Sequence, residues 1–238
     1  MIIWLASYPK SGNTWLRSLL ASYYFSKDGD FNFSLLKNID QFPSYDHFKD
    51  YNKVFTNPTD TTEFWLEEQE KINSDNKIKL FKTHNALCKI DGNSFTNSKN
   101  TLGAIYVVRD PRNVVLSYAN FLNCSDEKSA NIMIEELSRG GNLNLPRKEA
   151  DRTKVWIGTW ASNFNSWKPF KNQNRYLLVK YEELINKPEK TFLEILNFIH
   201  RLGKTELQIN QIKLENTIRT TSFDNLQKLE KTVMVKQY

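Results

Sequence analysis

The sequence predicts an α/β fold: three layers, α/β/α, around a central and mainly parallel sheet that carries a phosphate loop. Three observations predict it. A compact apolar run at the start stops at a turn containing lysine and glycine, three further β-rich runs recur along the chain, and helical periodicities lie between them. Parallel strands need crossover connections, and helices that cross over cover both faces of the sheet. With 238 residues, 39% hydrophobic and 25% charged, the chain has the size of one domain spanning 1–238.

Ile2–Ala6 reads as the first strand and ends at Ser7-Tyr8-Pro9-Lys10-Ser11-Gly12. From Asn13, Trp15, Leu16, Leu19, Leu20 and Tyr23 fall at helical spacing. The segment 28–75 is polar and aromatic with little periodicity, so loops and irregular helices covering a site are expected there. Ile78–Lys82, Ala104–Val108 and Tyr176–Val179 are rich in β-formers and read as the remaining strands. Asn113–Phe121 follows Asp110-Pro111, with proline where a first helical turn tolerates it. Lys154–Trp167 is aromatic-rich and amphipathic and reads as helix. Pro188–His200 carries Phe192, Ile195, Leu196 and Ile199 on one stripe, the spacing of a helix laid on a sheet.

Composition bounds the function more loosely. A net charge of +6 favours anionic partners, but the basic residues are scattered, which fits solvated surface as well as a binding patch. No stretch approaches the roughly 18 apolar residues of a membrane span, and the start lacks the cationic leader of a signal peptide. Cys88 and Cys124 form neither metal-ligand spacing nor a disulfide framework. A cytoplasmic location is expected.

The turn Ser7–Trp15 is the most informative stretch. It sits between a strand and a helix, where unpaired backbone N–H groups and the positive end of the helix dipole face one point. Gly12 permits close approach, Ser11, Asn13 and Thr14 offer side-chain donors, and Lys10 brings a full positive charge. The order differs from a Walker A loop, in which lysine follows the last glycine and the next hydroxyl holds magnesium. Metal-free transfer is the simpler expectation.

Tyr8-Pro9-Lys10-Ser11-Gly12-Asn13-Thr14-Trp15 resembles the loop Y-P-K-S-G-T-T-W of the cytosolic sulfotransferases that use 3′-phosphoadenosine-5′-phosphosulfate (PAPS), departing only at Asn13. The resemblance implies their fold, PAPS as donor, 3′-phosphoadenosine 5′-phosphate (PAP) as product and a small-molecule hydroxyl as acceptor. It also implies roles. The run Ile105–Tyr118 is similar to the family's second signature, so Arg109 and Ser117 bind the 3′-phosphate, with Ser117 counted near the catalytic group as well. Phe81-Lys82-Thr83-His84 is similar to its K-T-H segment, which makes His84 the base and sets Lys82 beside the transferred group. Lys180-Tyr181-Glu182-Glu183-Leu184 resembles its Y-E-x-L element, with Tyr181 near adenine, and Thr221-Ser222-Phe223 resembles its T-S-F segment, with Trp15 and Phe223 about the adenine ring.

Taken alone, Arg109-Asp110 also reads as a structural ion pair, and His47 and His200 read as surface or helix-end residues. The family's late R-K-G loop, which closes over the 3′-phosphate, has no counterpart before Tyr238. Either the sequence is shortened or that loop is absent. Two other classes stand beside sulfuryl transfer: a P-loop kinase or NTPase, and a non-catalytic nucleotide- or polyanion-binding protein. Aromatics in 31–51 and 55–65 suit either an acceptor pocket or core packing.

Overall fold

A computed structural model describes residues 1–51, 59–135, 138–140 and 154–235. Its centre is a four-stranded sheet of β1 (Ile2–Ser7), β2 (Lys79–Thr83), β5 (Thr101–Val108) and β8 (Tyr176–Lys180) in the order β2-β1-β5-β8. Every pairing in it is parallel. All four expected strands are there, each shifted by at most a few residues. Two short antiparallel pairs lie outside it: β3 (Lys89–Ile90) with β4 (Asn93–Ser94), and β6 (Ser138–Gly140) with β7 (Lys154–Trp156).

Period-two alternation assigns each strand residue to one of two cores, because both faces are covered. Ile3, Leu5, Ile105, Val107 and Val179 meet residues of α1 (Asn13–Phe25), α7 (Pro188–Gly203) and α8 (Gln211–Thr220). Leu16, Leu19, Leu20, Phe192, Ile195 and Leu196 supply the helical side, on the stripes their spacing predicts. On the opposite face Ile2, Trp4, Ala6, Phe81, Ala104 and Tyr106 meet Phe42, Phe48, Trp65, Phe95, Trp167 and Phe170. Trp4 lies at the middle of this layer, touching the rings of Phe42, Phe81, Phe95 and Trp167, and its indole N–H donates to Thr101 Oγ1 at 2.9 Å. The aromatics at Phe42, Phe48 and Trp65 therefore serve as core; Phe55 lies outside the described residues.

Among the described residues of 28–75, short 3-10 turns alternate with irregular chain, as the weak periodicity predicts, and α2 (Trp65–Ile72) adds two turns of α-helix. One expectation fails. Lys154–Trp167 is a single helix by pattern, yet β7 occupies Lys154–Trp156 and α5 runs only over Trp160–Ser166. Gly158, at φ +70°, turns the chain, and Thr159 caps the new helix by accepting from Ser162 N–H. His47 also departs from a surface reading: its ring packs against Phe42 and Phe81 and lies 3.3 Å from Asp40, although it does end a short 3-10 helix. Between β5 and α5 run α3 (Pro111–Leu122) and α4 (Asp126–Ile134); β8 leads directly into α6 (Tyr181–Asn186), and α9 (Phe223–Val235) follows α8.

The strand order places the site. The chain leaves β1 for one neighbour, then returns across it to β5 on the other side, so a crevice opens beyond the carboxyl ends of these strands. Ser7, His84, Arg109 and Tyr181 are the residues that end or follow β1, β2, β5 and β8.

Candidate active site

The loop after β1 is curled by two left-handed residues, Lys10 at φ +63° and Gly12 at φ +100°. Gly12 is needed for a second reason: a Cβ there would lie 2.5 Å from Cδ2 of Tyr181. Gly12 precedes α1 and offers no side chain to cap it, and no acidic residue occupies the helix's first turn. The first N–H groups of α1 thus keep both their hydrogen-bonding capacity and the positive end of the dipole for an anion. The contrast with α3 is instructive. There the carboxylate of Asp110 accepts from Arg112 N–H and fills the same place.

Ser11 is 1% exposed, and its Oγ has no hydrogen-bond partner among the described residues. Nε of Arg109 is likewise buried and without a partner among the described residues. A buried polar atom without a partner costs about 1–3 kcal/mol, a cost that an anionic ligand at this point removes. The residues therefore fit a phosphorylated ligand.

Tyr181 organises the loop from below. It is buried, its ring lies under Gly12, Trp15 meets it edge-on at 5.6 Å between centroids, and the Arg109 guanidinium stacks on it at 4.4 Å. Arg109 also donates from Nη1 to the Lys10 carbonyl at 3.3 Å. The Arg109-Asp110 ion pair does not form. Asp110 is engaged by Arg112 through Nε at 3.0 Å and Nη2 at 2.5 Å, which holds its carboxyl down to about 2. Arg109 thus keeps donor capacity at the mouth of the crevice.

His84 follows β2, beside Ser7 at the end of β1. Its Nδ1 lies 2.8 Å from the Ser7 carbonyl oxygen and 3.2 Å from Ser7 Oγ. A carbonyl can only accept, so Nδ1 carries the proton. Burial, together with the positive charges of Lys82, Arg17 and Lys10, pushes the ring's pKa down to about 3, against a smaller opposing effect of the Ser7 carbonyl. The imidazole is then neutral, and Nε2 is the bare, proton-accepting nitrogen. Lys82 donates to Gln41 Oε1 at 2.8 Å, and burial, then the nearby charge of Arg17, lowers its pKa to about 8.

Lys10 holds its ammonium 4.5 Å above the ring of Phe121 on α3. Ser117 is half-buried on the same helix, four residues earlier and hence on the same face. Thr14 is exposed at the start of α1. Asn13 differs from its expected part as a ligand donor: its amide is 4% exposed and donates inward, to the Leu5 carbonyl at 2.8 Å and Ser7 Oγ at 3.1 Å. Thr221 is fully buried and gives its hydroxyl to the Thr217 carbonyl at 2.6 Å, so that hydroxyl belongs to α8. Ser222 accepts from Leu226 N–H, and Phe223 opens α9 half-exposed. Sequence reasoning overlooked Ser7, Arg17 and Gln41; the small residue ending β1 and the single departure at Asn13 were the available signals.

Among the described residues no group of three or more His, Cys, Asp or Glu side chains is arranged to hold a metal ion, and no helix is long and apolar enough to cross a membrane. Cytosolic sulfotransferase 13 of Arabidopsis thaliana is 26% identical over 228 residues, covering 95% of this chain and 62% of its own. The structure of mouse sulfotransferase SULT7A1 complexed with PAP superposes with a TM-score of 0.56 at 19% identity, over 94% of this chain and 65% of that one. Retinol dehydratase in complex with androsterone and PAP superposes at 0.52 with 14% identity, over 96% and 66%. The chain thus spans less than two thirds of the length of the curated relative. The description "Sulfotransferase domain" matches residues 2–237, and the chain belongs to that family.

Proposed function

We propose that residues 1–238 form one catalytic domain that transfers a sulfuryl group from PAPS to the hydroxyl of a small acceptor, in the cytoplasm and without a metal. The observation that carries the reading is His84: a neutral imidazole with bare Nε2, held by Ser7 at the base of a loop built for an anion. Ser11, Gly12, Thr14 and the first N–H groups of α1 hold the 5′-phosphate end. Arg109 and Ser117 hold the 3′-phosphate, and Trp15, Tyr181, Ser222 and Phe223 border the base, with Thr221 supporting them through the end of α8. Bound PAPS supplies the sulfuryl group, which passes to the acceptor oxygen as the S–O bond to the 5′-phosphate breaks and PAP leaves. His84 Nε2 takes the hydroxyl proton. Lys10 leaves its seat on Phe121 to place positive charge at the oxygen where negative charge grows, and Lys82 adds to that field. The androsterone in the retinol dehydratase complex supports an alcohol acceptor of small-molecule size.

Transfer of radiolabel from PAPS to a panel of phenols, sterols and simple sugars tests the activity. Thermal stabilisation by PAP, compared with 5′-AMP and ATP, tests the nucleotide site, since a ligand stabilises in proportion to its occupancy of the native state. Larger stabilisation by PAP supports the reading. Equal responses to PAP and 5′-AMP, or preference for ATP with magnesium, overturn it in favour of a general nucleotide binder or an NTPase.

A further inference from the structure

The two left-handed residues of the loop after β1 are not equivalent. Glycine adopts a positive φ without steric cost, as at Gly12, whereas Lys10 at φ +63° carries a Cβ that opposes it. For an L-residue the opposition amounts to about a five- to thirtyfold loss of population, so the turn at Lys10 has to be held from outside. Arg109 is placed to hold it. Its Nη1 donates to the Lys10 carbonyl at 3.3 Å, and its guanidinium lies 4.4 Å over the centre of the Tyr181 ring, the same ring that sits under Gly12. One stacked pair thus meets both left-handed residues, Arg109 at Lys10 and Tyr181 at Gly12. We propose that Arg109, beside its part at the 3′-phosphate, is a positioning residue for the 5′-phosphate loop, holding Lys10 in its left-handed turn through the Lys10 carbonyl.

The donors of Arg109 divide between the two tasks. A guanidinium carries its N–H groups in a planar fork, and here Nη1 is directed to Lys10 while Nε is buried without a partner among the described residues. Nε shares the other edge with Nη2, so a phosphate can be forked there without breaking the bond to Lys10. Asp110 does not compete, because Arg112 engages its carboxylate. A hydrogen bond from a charged donor to a part-buried carbonyl contributes on the same scale as the left-handed cost, so this one bond is large enough to decide whether the turn is populated. With the turn lost, the first N–H groups of α1 and the Lys10 side chain no longer face one point. The residue proposed for one end of the nucleotide therefore shapes the seat of the other.

Because this role rests on the reading of the loop as the seat of a 5′-phosphate, the probe is 5′-AMP, which has no 3′-phosphate for Arg109 to bind. Arg109→Met removes every donor, and with them a positive charge that favours any anion. The backbone effect is separated from that charge by making the change on two backgrounds, Lys10→Ala and Lys10→Gly, which lose the same ammonium and differ in the cost of a left-handed turn. Ligand-observed NMR gives Kd for 5′-AMP into the millimolar range. The loss of 5′-AMP affinity caused by Arg109→Met should be about fivefold larger on the alanine background than on the glycine background, where the turn needs no support. Arg109→Ala serves in the same comparison if methionine does not fold there. Equal losses on the two backgrounds overturn the proposal, leaving Arg109 as a ligand for the 3′-phosphate and the sulfotransferase reading intact. A wild type that binds no 5′-AMP overturns both. The expected difference between backgrounds, in a protein that transfers nothing from PAPS, leaves the support of the loop standing and refutes the enzyme reading.

Discussion

Replacing Gly12 by alanine tests how the anion loop is held, because the structure separates two costs there. The residue sits at φ +100°, a conformation that costs an L-residue about 1–2 kcal/mol. A new Cβ also meets Cδ2 of Tyr181 at 2.5 Å and Cε2 at 3.0 Å. That ring has little room to retreat, being buried with Trp15 against it and Arg109 stacked on it. Overpacking of this kind costs about 1–3 kcal/mol, so the two effects together come to about 2–5 kcal/mol. At about 2–4 °C per kcal/mol for a chain of this size, the melting temperature should drop by roughly 4–20 °C. The assay is a double-variant cycle by chemical denaturation with Tyr181→Leu, which removes the clash and leaves the backbone cost in place. In that background Gly12→Ala should cost only about 1–2 kcal/mol. A loss below about 1 kcal/mol in the wild type, or an additive cycle, refutes the claim that Tyr181 supports the loop through Gly12.

Lys10→Ala and His84→Ala should each lower turnover by roughly 10²-fold or more, measured by radiolabel transfer with a working acceptor; near-normal rates remove the residue from the mechanism. His84 makes stability depend on pH. Its folded pKa of about 3 lies below its unfolded value of 6.5, so between these values the unfolded chain binds the extra proton. Stability from this group is therefore complete above pH 6.5 and falls as pH drops toward 3, by at most about 1.4 kcal/mol per pH unit, and His84→Asn should flatten that part of the denaturation profile. Lys82→Met should raise the melting temperature by a few degrees at pH 7 while reducing activity, because the buried ammonium, shifted down to about 8, is matched among the described residues only by the neutral Gln41 amide. Arg109→Lys should narrow the preference for PAP over 5′-AMP by about tenfold, read as relative Kd, since an ammonium loses both the forked donors and the planar stacking on Tyr181.

Much of this protein is legible locally. Apolar runs of β-formers alternating with helical stripes identify the four sheet strands and the helices α1, α3 and α7, because periods of 2 and 3.6 are written in neighbouring residues. The anion loop is equally local: strand, turn with lysine and glycine, and helix follow one another without a gap. Where a local pattern misled, at Lys154–Trp167, amphipathic spacing continued across Gly158 although a positive φ there ends regularity. The partners of each site residue are another matter. Ser7 and His84 are 77 residues apart and Lys10 and Arg109 are 99 apart, and only the order β2-β1-β5-β8 sets their strand ends side by side. The same holds for hydrogen-bond choices. Asp110 takes Arg112 rather than Arg109, Asn13 turns to Ser7 rather than to the crevice, and Thr221 turns into its own helix. Each donor or acceptor bonds with whatever the packed chain brings within about 3 Å, a competition settled by burial and geometry in three dimensions that no spacing along one strand or helix encodes.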